Sequence, residues 1–420
     1  MDSLNSEIFR QSLIKVLGAA DADAAIAAMH SDPSVSVRLN PSKPASSPLP
    51  ILKDAVPVPW SGHGFMLAER PVFTLHPLFH AGAYYVQDSS AMFVGWLFRS
   101  ILDRFTHRPL RVLDLCAAPG GKTTDLAASL REACGDGFVL VSNEVMRQRA
   151  SVLSDNVAVW GDPNVVVTSV DPKAFAQLQG FFDVIVADVP CSGEGMFRKD
   201  AKAVEDWSPE TVELCSMRQR RILADVWPAL RDGGVLVYST CTFEPSENDL
   251  NLEWVAGELG GEVIKPENPF GIRTTSSGHL LVPGEVPGEG QWAGALTKGL
   301  TSSASEGPRP FSVASAMDQL RRFRPLRMGV EKGELKGKDF VPSADWALSI
   351  AFERGSYPEA EVDKLTALKF LHRDTIVLPD APLGYNVVTY RGLPLGFVKN
   401  LGSRCNNLHP QSRRIRMDIL

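Results

Sequence analysis

The stretch Arg111-Val-Leu-Asp-Leu-Cys-Ala-Ala-Pro-Gly-Gly-Lys-Thr-Thr124 decides the fold. It opens with a short apolar run suited to a buried strand. Its glycines then predict a turn, and a helix is expected to follow through Leu130. The alternation repeats downstream. Phe138–Val141, Val165–Val167, Phe182–Ala187 and Gly234–Tyr238 read as strands, with helices near Arg147–Val157, Thr211–Leu230 and Asn248–Leu259. Right-handed crossovers between such units build a mostly parallel sheet with helices on both faces, an α/β architecture. Ligands on these sheets lie at the carboxyl ends of the strands, so the residues just after each strand carry the chemistry.

Outward from this core the pattern changes. Residues from about Leu4 to Met29 predict helix, prolines then punctuate the chain around the extended run Val35–Arg38, and Tyr84–Leu102 predicts another helix. After the core, Leu280–Val282 and Trp292–Leu296 fit a closing antiparallel pair. Thr301-Ser-Ser-Ala-Ser-Glu-Gly-Pro308 has linker composition. A smaller unit follows, with strands expected at Thr375–Leu378, Val387–Tyr390 and Gly396–Val398. The expected organisation is an N-terminal region 1–80, a core 81–300, a linker 301–310 and a C-terminal domain 311–420. Trp60, His63, His76 and His80 are assigned to packing or turns.

Composition excludes several classes. The chain has 420 residues, of which 44% are hydrophobic and 22% charged, an ordinary globular balance. Lys and Arg number 43 against 49 Asp and Glu, a formal net charge of −6, so any nucleic-acid contact must come from local clusters. The six cysteines show no metal-ligand spacing and no disulfide framework, and no metal is expected. No signal-peptide run opens the chain, and Met92–Phe98 is too short to span a membrane. A cytoplasmic monomer with no membrane partner is expected.

Three constellations carry chemistry. The first is the loop Cys116-Ala117-Ala118-Pro119-Gly120-Gly121-Lys122, where backbone can approach a ligand at a helix N-terminus. It ends like a phosphate loop, but Cys116 occupies the first glycine position, and the dinucleotide pattern Gly-x-Gly-x-x-Gly is absent. The second is acidic: Glu144, Asp171 and Asp188 each follow a strand, which suits a nucleoside lying across the strand ends. The alternative is that they are solvated carboxylates or caps. The third pairs Asp188-Val-Pro-Cys-Ser-Gly-Glu-Gly195 with Tyr238-Ser-Thr-Cys-Thr-Phe243, which should bring Cys191, Cys241 and Asp188 into one cleft. An exocyclic-amine methyltransferase would carry Asn/Asp-Pro-Pro-aromatic here, and Val189 and Cys191 break that pattern.

Together these segments resemble the RNA cytosine-5 methyltransferases of the NOL1/NOP2/Sun family, most closely the bacterial branch F that acts on the small ribosomal subunit. The likeness covers about Phe79 to Lys298, with Ser36-Val-Arg-Leu-Asn-Pro-Ser-Lys43 echoing an N-terminal family element. It implies a Rossmann-like class I methyltransferase core with a mostly parallel seven-stranded sheet, a small N-terminal α/β region that assists RNA binding, and a C-terminal PUA-like RNA-binding domain. It implies S-adenosylmethionine as cofactor, its methionine end on Cys116–Lys122, its ribose on Glu144 and its adenine amine on Asp171. Asp188 would lie near the methyl donor and touch the cytosine. Cys241 would be the nucleophile, and Cys191 would assist product release. Gln291-Trp292 departs from the family's usual aromatic pair, which bears on packing at the last hairpin.

The chemistry fits these groups. Carbon 5 of cytosine becomes nucleophilic once a thiolate adds to carbon 6, so the site must favour a charged Cys241 or take its proton during attack; Lys122 is a candidate contributor. RNA contact is expected from Arg321, Arg322, Arg324 and Arg327, with Phe323 stacking on a base, from Lys332, Lys336 and Lys338, and from Arg413, Arg414 and Arg416. The expected partner is 16S ribosomal RNA or the small subunit. Transfer RNA as substrate, or a ribosome-assembly factor that mainly binds RNA, are the alternatives.

Overall fold

A computed structural model describes residues 7–299 and 311–419; the expected linker 301–310 lies outside the described residues. The N-terminal region holds helices α1 (Glu7–Leu17) and α2 (Ala19–Met29), broken at Gly18 where one continuous helix was expected. Four strands, β1 (Ser36–Leu39), β2 (Val56–Pro57), β3 (Gly64–Met66) and β4 (Tyr84–Val86), form an antiparallel sheet in the order β2-β3-β1-β4. Tyr84–Val86 is therefore strand where helix was expected. The helix begins later, as α4 (Met92–Ile101), after the short α3 (Pro77–His80).

The core alternates as its sequence predicts: β5 (Leu110–Asp114), α5 (Gly121–Cys134), β6 (Phe138–Asn143), α6 (Arg147–Trp160), β7 (Val165–Thr168), β8 (Phe182–Asp188), α7 (Ala201–Asp206), α8 (Pro209–Val226), β9 (Leu230–Thr240) and α9 (Asp249–Leu259). Strands β5 to β9 are parallel and almost wholly buried, as expected for strands covered on both faces. β10 (Gly261–Ile264), β11 (Arg273–Thr274), β12 (Gly278–Leu281) and β13 (Gln291–Lys298) follow. The sheet has ten strands in the order β11-β12-β13-β9-β8-β5-β6-β7-β14, with β10 also on β13. β14 is Arg327–Met328, antiparallel to β7. The chain beyond the linker thus first returns to the core: α10 (Val313–Leu320) buries Ala316 and Leu320 in the same cluster as Val139 and Phe175. The strand order reverses between β5 and β8, which opens a crevice at their carboxyl ends.

The C-terminal unit comprises β15 (Gly333–Lys336), β16 (Asp339–Pro342), α11 (Ala344–Leu348), β17 (Glu359–Glu361), α12 (Lys364–His372), β18 (Gly384–Tyr390), β19 (Leu393–Asn400) and β20 (Cys405–Asn407). Thr375–Leu378 is not a strand. Ile376 and Leu378 are buried, and their carbonyls accept from Cys405 N and Asn400 Nδ2, so the apolar pattern reflects packing under the sheet.

Two contacts tie the N-terminal region to the site. Phe9 of α1 packs on Phe197 and Trp207 at 5.3 and 5.1 Å, behind the loop that follows β8. The Ser36–Lys43 element grips the first crossover units. Arg38, 1% exposed, donates to Gln87 Oε1 (2.8 Å), Gly121 O (3.3 Å) and Thr124 Oγ1 (2.5 Å), and lies 3.7 Å from Asp125. Asn40 and Lys43 donate to the last carbonyls of α6, Trp160 O (3.2 Å) and Val159 O (2.6 Å). Arg38→Met should lower the unfolding free energy by about 3–5 kcal/mol, since it strips Gln87, Gly121 and Thr124 of a buried donor and leaves Asp125 only Arg99, at 3.1 Å, as its cation. A denaturant titration showing a loss below about 1 kcal/mol would contradict this role.

Candidate active site

The first loop leaves β5 and enters α5 through Gly120, whose φ of +115° favours glycine and whose missing Cβ leaves room for Leu153. Asn143 at the end of β6 donates to Leu115 O (3.2 Å) and Val170 O (3.0 Å), which locks three strand ends together. Arg149 Nη2 donates to Ala118 O at 2.9 Å, while its Nη1 lies 3.3 Å from Glu144 Oε2. Glu144 is nearly buried and also accepts from Met146 N at 2.9 Å. Asp171 is exposed and caps the short turn after β7 by accepting from Lys173 N. Cys116 sits in this loop with its thiol pushed far above the usual range by burial.

The second centre lies across the crevice. Lys122 Nζ donates to Asp188 Oδ2 at 2.9 Å, and Ser239 Oγ donates to Asp188 Oδ1 at 2.7 Å. Burial draws the Lys122 ammonium down, but the charge of Asp188 and the hydrogen bond to it, followed by the charge of Cys241, raise it overall. β8 and β9 are parallel neighbours with Asp188 opposite Ser239, so the segments after them run side by side. They bring Cys191 Sγ and Cys241 Sγ to 3.2 Å. The hydrogen bond to Cys241 and burial both hold the Cys191 thiol well above its ordinary range.

This approach needs Gly195. A Cβ there would lie 2.9 Å from Gly290 O and 3.0 Å from Cys241 O, and Gly195 N donates to that same Cys241 carbonyl at 2.7 Å. Two buried glutamates stitch the segments together. Glu194 accepts from Trp207 Nε1 (2.9 Å), Thr242 Oγ1 (2.9 Å) and Phe243 N (2.5 Å). Glu247 accepts from Ser192 N (3.1 Å), Ser192 Oγ (2.5 Å) and Gln219 Nε2 (2.7 Å). Burial raises both carboxyls, Glu247 to about 7.

Comparison with known proteins agrees along the chain. Residues 106–257 match the family model for 16S rRNA methyltransferase RsmB/F, 6–89 that for the N-terminal domain of 16S rRNA methyltransferase RsmF, and 357–415 that for the methyltransferase RsmF PUA domain. The chain belongs to the RsmF family of methyltransferases. It is 31% identical over 412 residues to the ribosomal RNA small subunit methyltransferase F of Serratia proteamaculans, covering 84% of each chain. It is 30% identical to that of an Enterobacter species, covering 93% of this chain and 91% of the relative. Among solved structures, a methyltransferase homolog from Pyrococcus horikoshii matches at 26% identity and a TM-score of 0.58, covering 70% of this chain and 96% of the other. NSun6 from the same organism matches at 17% identity and a TM-score of 0.58, covering 70% and 99%, a likeness of fold.

An RsmF-family chain is an S-adenosylmethionine-dependent methyltransferase, and the cleft suits that cofactor. Asp114 at the tip of β5 is fully buried; Thr123 Oγ1 donates to its Oδ2 at 2.6 Å, but its Oδ1 has no partner and is free to accept from a ligand ammonium. Asp114 was legible as the acid that ends the first strand, yet its neighbours in the loop drew the assignment. Asn143, Glu194, Glu247 and Gln291 were also missed. Gln291 Nε2 donates to Thr240 O at 2.7 Å and lies 3.4 Å from Asp188 Oδ1, so it joins the Asp188 cluster. Trp292 is fully buried against Tyr238, and the last hairpin packs well with this pair.

The basic clusters divide. Arg321, Arg322, Arg324, Arg414 and Arg416 are exposed, as are Lys332, Lys336 and Lys338. Arg327 and Arg413 are not exposed cations: Arg327 Nη2 donates to Asp345 Oδ2 at 2.8 Å, and Arg413 Nη2 donates to Asp345 Oδ1, which leaves Arg413 Nε and Nη1 unpaired. Burial alone would raise the Asp345 carboxyl, but these two cations hold it low. Phe323 is not a stacking platform. It is buried against Phe175 with ring centroids 5.1 Å apart.

Glu247 fixes a pH dependence. Its folded pKa is raised to about 7, so the folded chain binds more protons than the unfolded one between the ordinary glutamate range and about 7, and stability falls as pH rises through that window. Asp114, pushed to about 7 by burial, adds a second such slope. Glu247→Gln should flatten part of this decline in urea titrations across the window. An unchanged slope would remove Glu247 as a contributor.

Proposed function

We propose that this chain methylates carbon 5 of a cytidine in small-subunit ribosomal RNA through a covalent Cys241 adduct. The observation that carries it is the pair of thiols in contact beside the Lys122–Asp188 ion pair, at the ends of adjacent strands. In this reading Cys116 to Lys122, with Asp114, hold the methionine end of S-adenosylmethionine, Glu144 its ribose and Asp171 its adenine amine. When bound, that cofactor supplies an electrophilic methyl group.

Only a few per cent of an ordinary thiol is ionised at neutral pH. Two neighbours favour negative charge on Cys241: the donated Cys191 proton and the Lys122 ammonium. Asp188, held by Lys122, Ser239 and Gln291, contacts the cytosine edge. In its acid form it shares its proton with ring nitrogen 3, which promotes addition of Cys241 to carbon 6, and takes that proton back as Cys241 leaves. Once bonded there, Cys241 is a neutral thioether and no longer accepts from Cys191. Cys191 then loses its proton to solvent water more readily. As thiolate it takes the proton from carbon 5, the carbon 5–hydrogen electrons restore the ring double bond, and Cys241 departs as thiolate. Holding these groups together supplies up to about 7–11 kcal/mol of the barrier lowering. The target base must leave its stack to enter the cleft, which favours loops over perfect duplex. A role limited to binding leaves both thiols without a purpose.

Cys241→Ser should abolish transfer of labelled methyl from the cofactor to 16S ribosomal RNA while RNA binding survives. Label still reaching carbon 5 would remove Cys241 as nucleophile. Cys191→Ala should accumulate a protein–RNA adduct on a denaturing gel. Free turnover without adduct would remove the release role of Cys191.

A further inference from the structure

Where the N-terminal region, the core and the C-terminal unit meet, a cavity of about 180 Å³ is lined by Phe79, Tyr84, Tyr85 and Trp160, with Asp155 and Arg413 at its edge. It borders the cofactor loop. Asn156, another lining residue, donates to Pro119 O at 2.8 Å, and the Tyr85 hydroxyl lies 3.9 Å from where a Cβ of Gly120 would stand. The cavity is therefore next to the catalytic cleft.

Arg413 is the unexplained group. Its side chain is only 9% exposed and one nitrogen is spent on Asp345, yet Nε and Nη1 have no hydrogen-bond partner. Nε stands 3.9 Å from Asp155 Oδ1, beyond hydrogen-bond range, and the Asp155 side chain is 35% exposed. Buried guanidinium N–H groups are rarely left unpaired, because their lost hydration is then uncompensated. Arg413 thus lines the cavity together with Asp155, and its buried Nε and Nη1 keep two N–H groups unpaired at that edge. A phosphate fits poorly, since the guanidinium already has two carboxylates within ion-pair distance. A planar ring with an acceptor next to an N–H donor fits both the walls and the edge, and nucleobases present such edges. Aromatic faces add stacking.

We propose that this cavity is a second RNA subsite, which takes one unstacked nucleobase between the aromatic walls, with a base acceptor on Arg413 and a base donor on Asp155. It rests on the reading that the substrate is RNA.

The test uses the full chain labelled with 5-fluorotryptophan and saturated with S-adenosylhomocysteine, which keeps adenine probes out of the cofactor cleft. The Trp160 fluorine resonance, identified by its loss in Trp160→Phe, is followed while AMP, GMP, CMP, UMP and ribose 5-phosphate are added separately. At least one nucleotide should shift it saturably, ribose 5-phosphate should not, and Asp155→Ala should weaken the best nucleotide by about fivefold or more. Asp155→Asn, which keeps shape but replaces one acceptor by a donor, should change which base binds best, and it serves if the alanine variant fails to fold. No saturable shift from any nucleotide would overturn the proposal. So would an equal response to ribose 5-phosphate, which would make this an anion site, or nucleotide binding indifferent to both Asp155 variants. The Cys241→Ser protein should give the same shifts as the parent, so failure here is distinguishable from failure of the methylation reading.

Discussion

The contact between two sulfurs 3.2 Å apart is the constraint on which the rest of the active site depends. It requires two loops from neighbouring parallel strands to lie side by side, and loops carry backbone polar groups that resist such packing unless they are paired. The chain meets this with Gly195, which removes the one Cβ in the way, and with Glu194 and Glu247, which accept from backbone and side-chain donors of the two segments. The cost is visible in those carboxyls, both raised by burial. The N-terminal helices complete the support from behind, with Phe9 against Phe197 and Trp207. The N-terminal region is thus part of what holds the two cysteine loops.

Charge is arranged by the same economy. A chain of net charge −6 has few cations to spare, and two of its arginines are spent inside, on Asp345, to join the C-terminal unit to the core. The exposed Arg321, Arg322 and Arg324 and the C-terminal Arg414 and Arg416 remain for solvent or phosphate. Lys122 is another internal cation, paired with Asp188 at the strand ends where the proposed reaction would need positive charge already in position.

Much of this was legible from local pattern. The β5–loop–α5 unit, the acids at strand ends and the two cysteine segments follow from alternation and spacing, which depend on neighbours in sequence. What failed depends on distant partners. Phe323 reads as a stacking ring until Phe175 is brought against it, and Arg327 and Arg413 read as free until Asp345 lies between them. Tyr84–Val86 is three residues long and set off from α4 by the polar group Gln87–Ser90, too short to show a strand's alternation by itself; pairing with β1 reveals a strand. Gln291 was visible as a departure in the last hairpin, but its reach to Thr240 and Asp188 comes from the β13–β9 register. Asp171 kept the capping geometry that had been weighed against its adenine role, and a cap and a ligand contact use different oxygens of one carboxylate.

The proposal that Cys191 keeps its proton and Cys241 is the reactive sulfur is tested most directly by peptide-resolved alkylation of the native protein with iodoacetamide, followed from mildly acidic to mildly alkaline pH. Cys241 should be modified first at every pH, with Cys191 protected until Cys241 has reacted. Faster modification of Cys191 would contradict the account, because it would place the charge on the wrong sulfur.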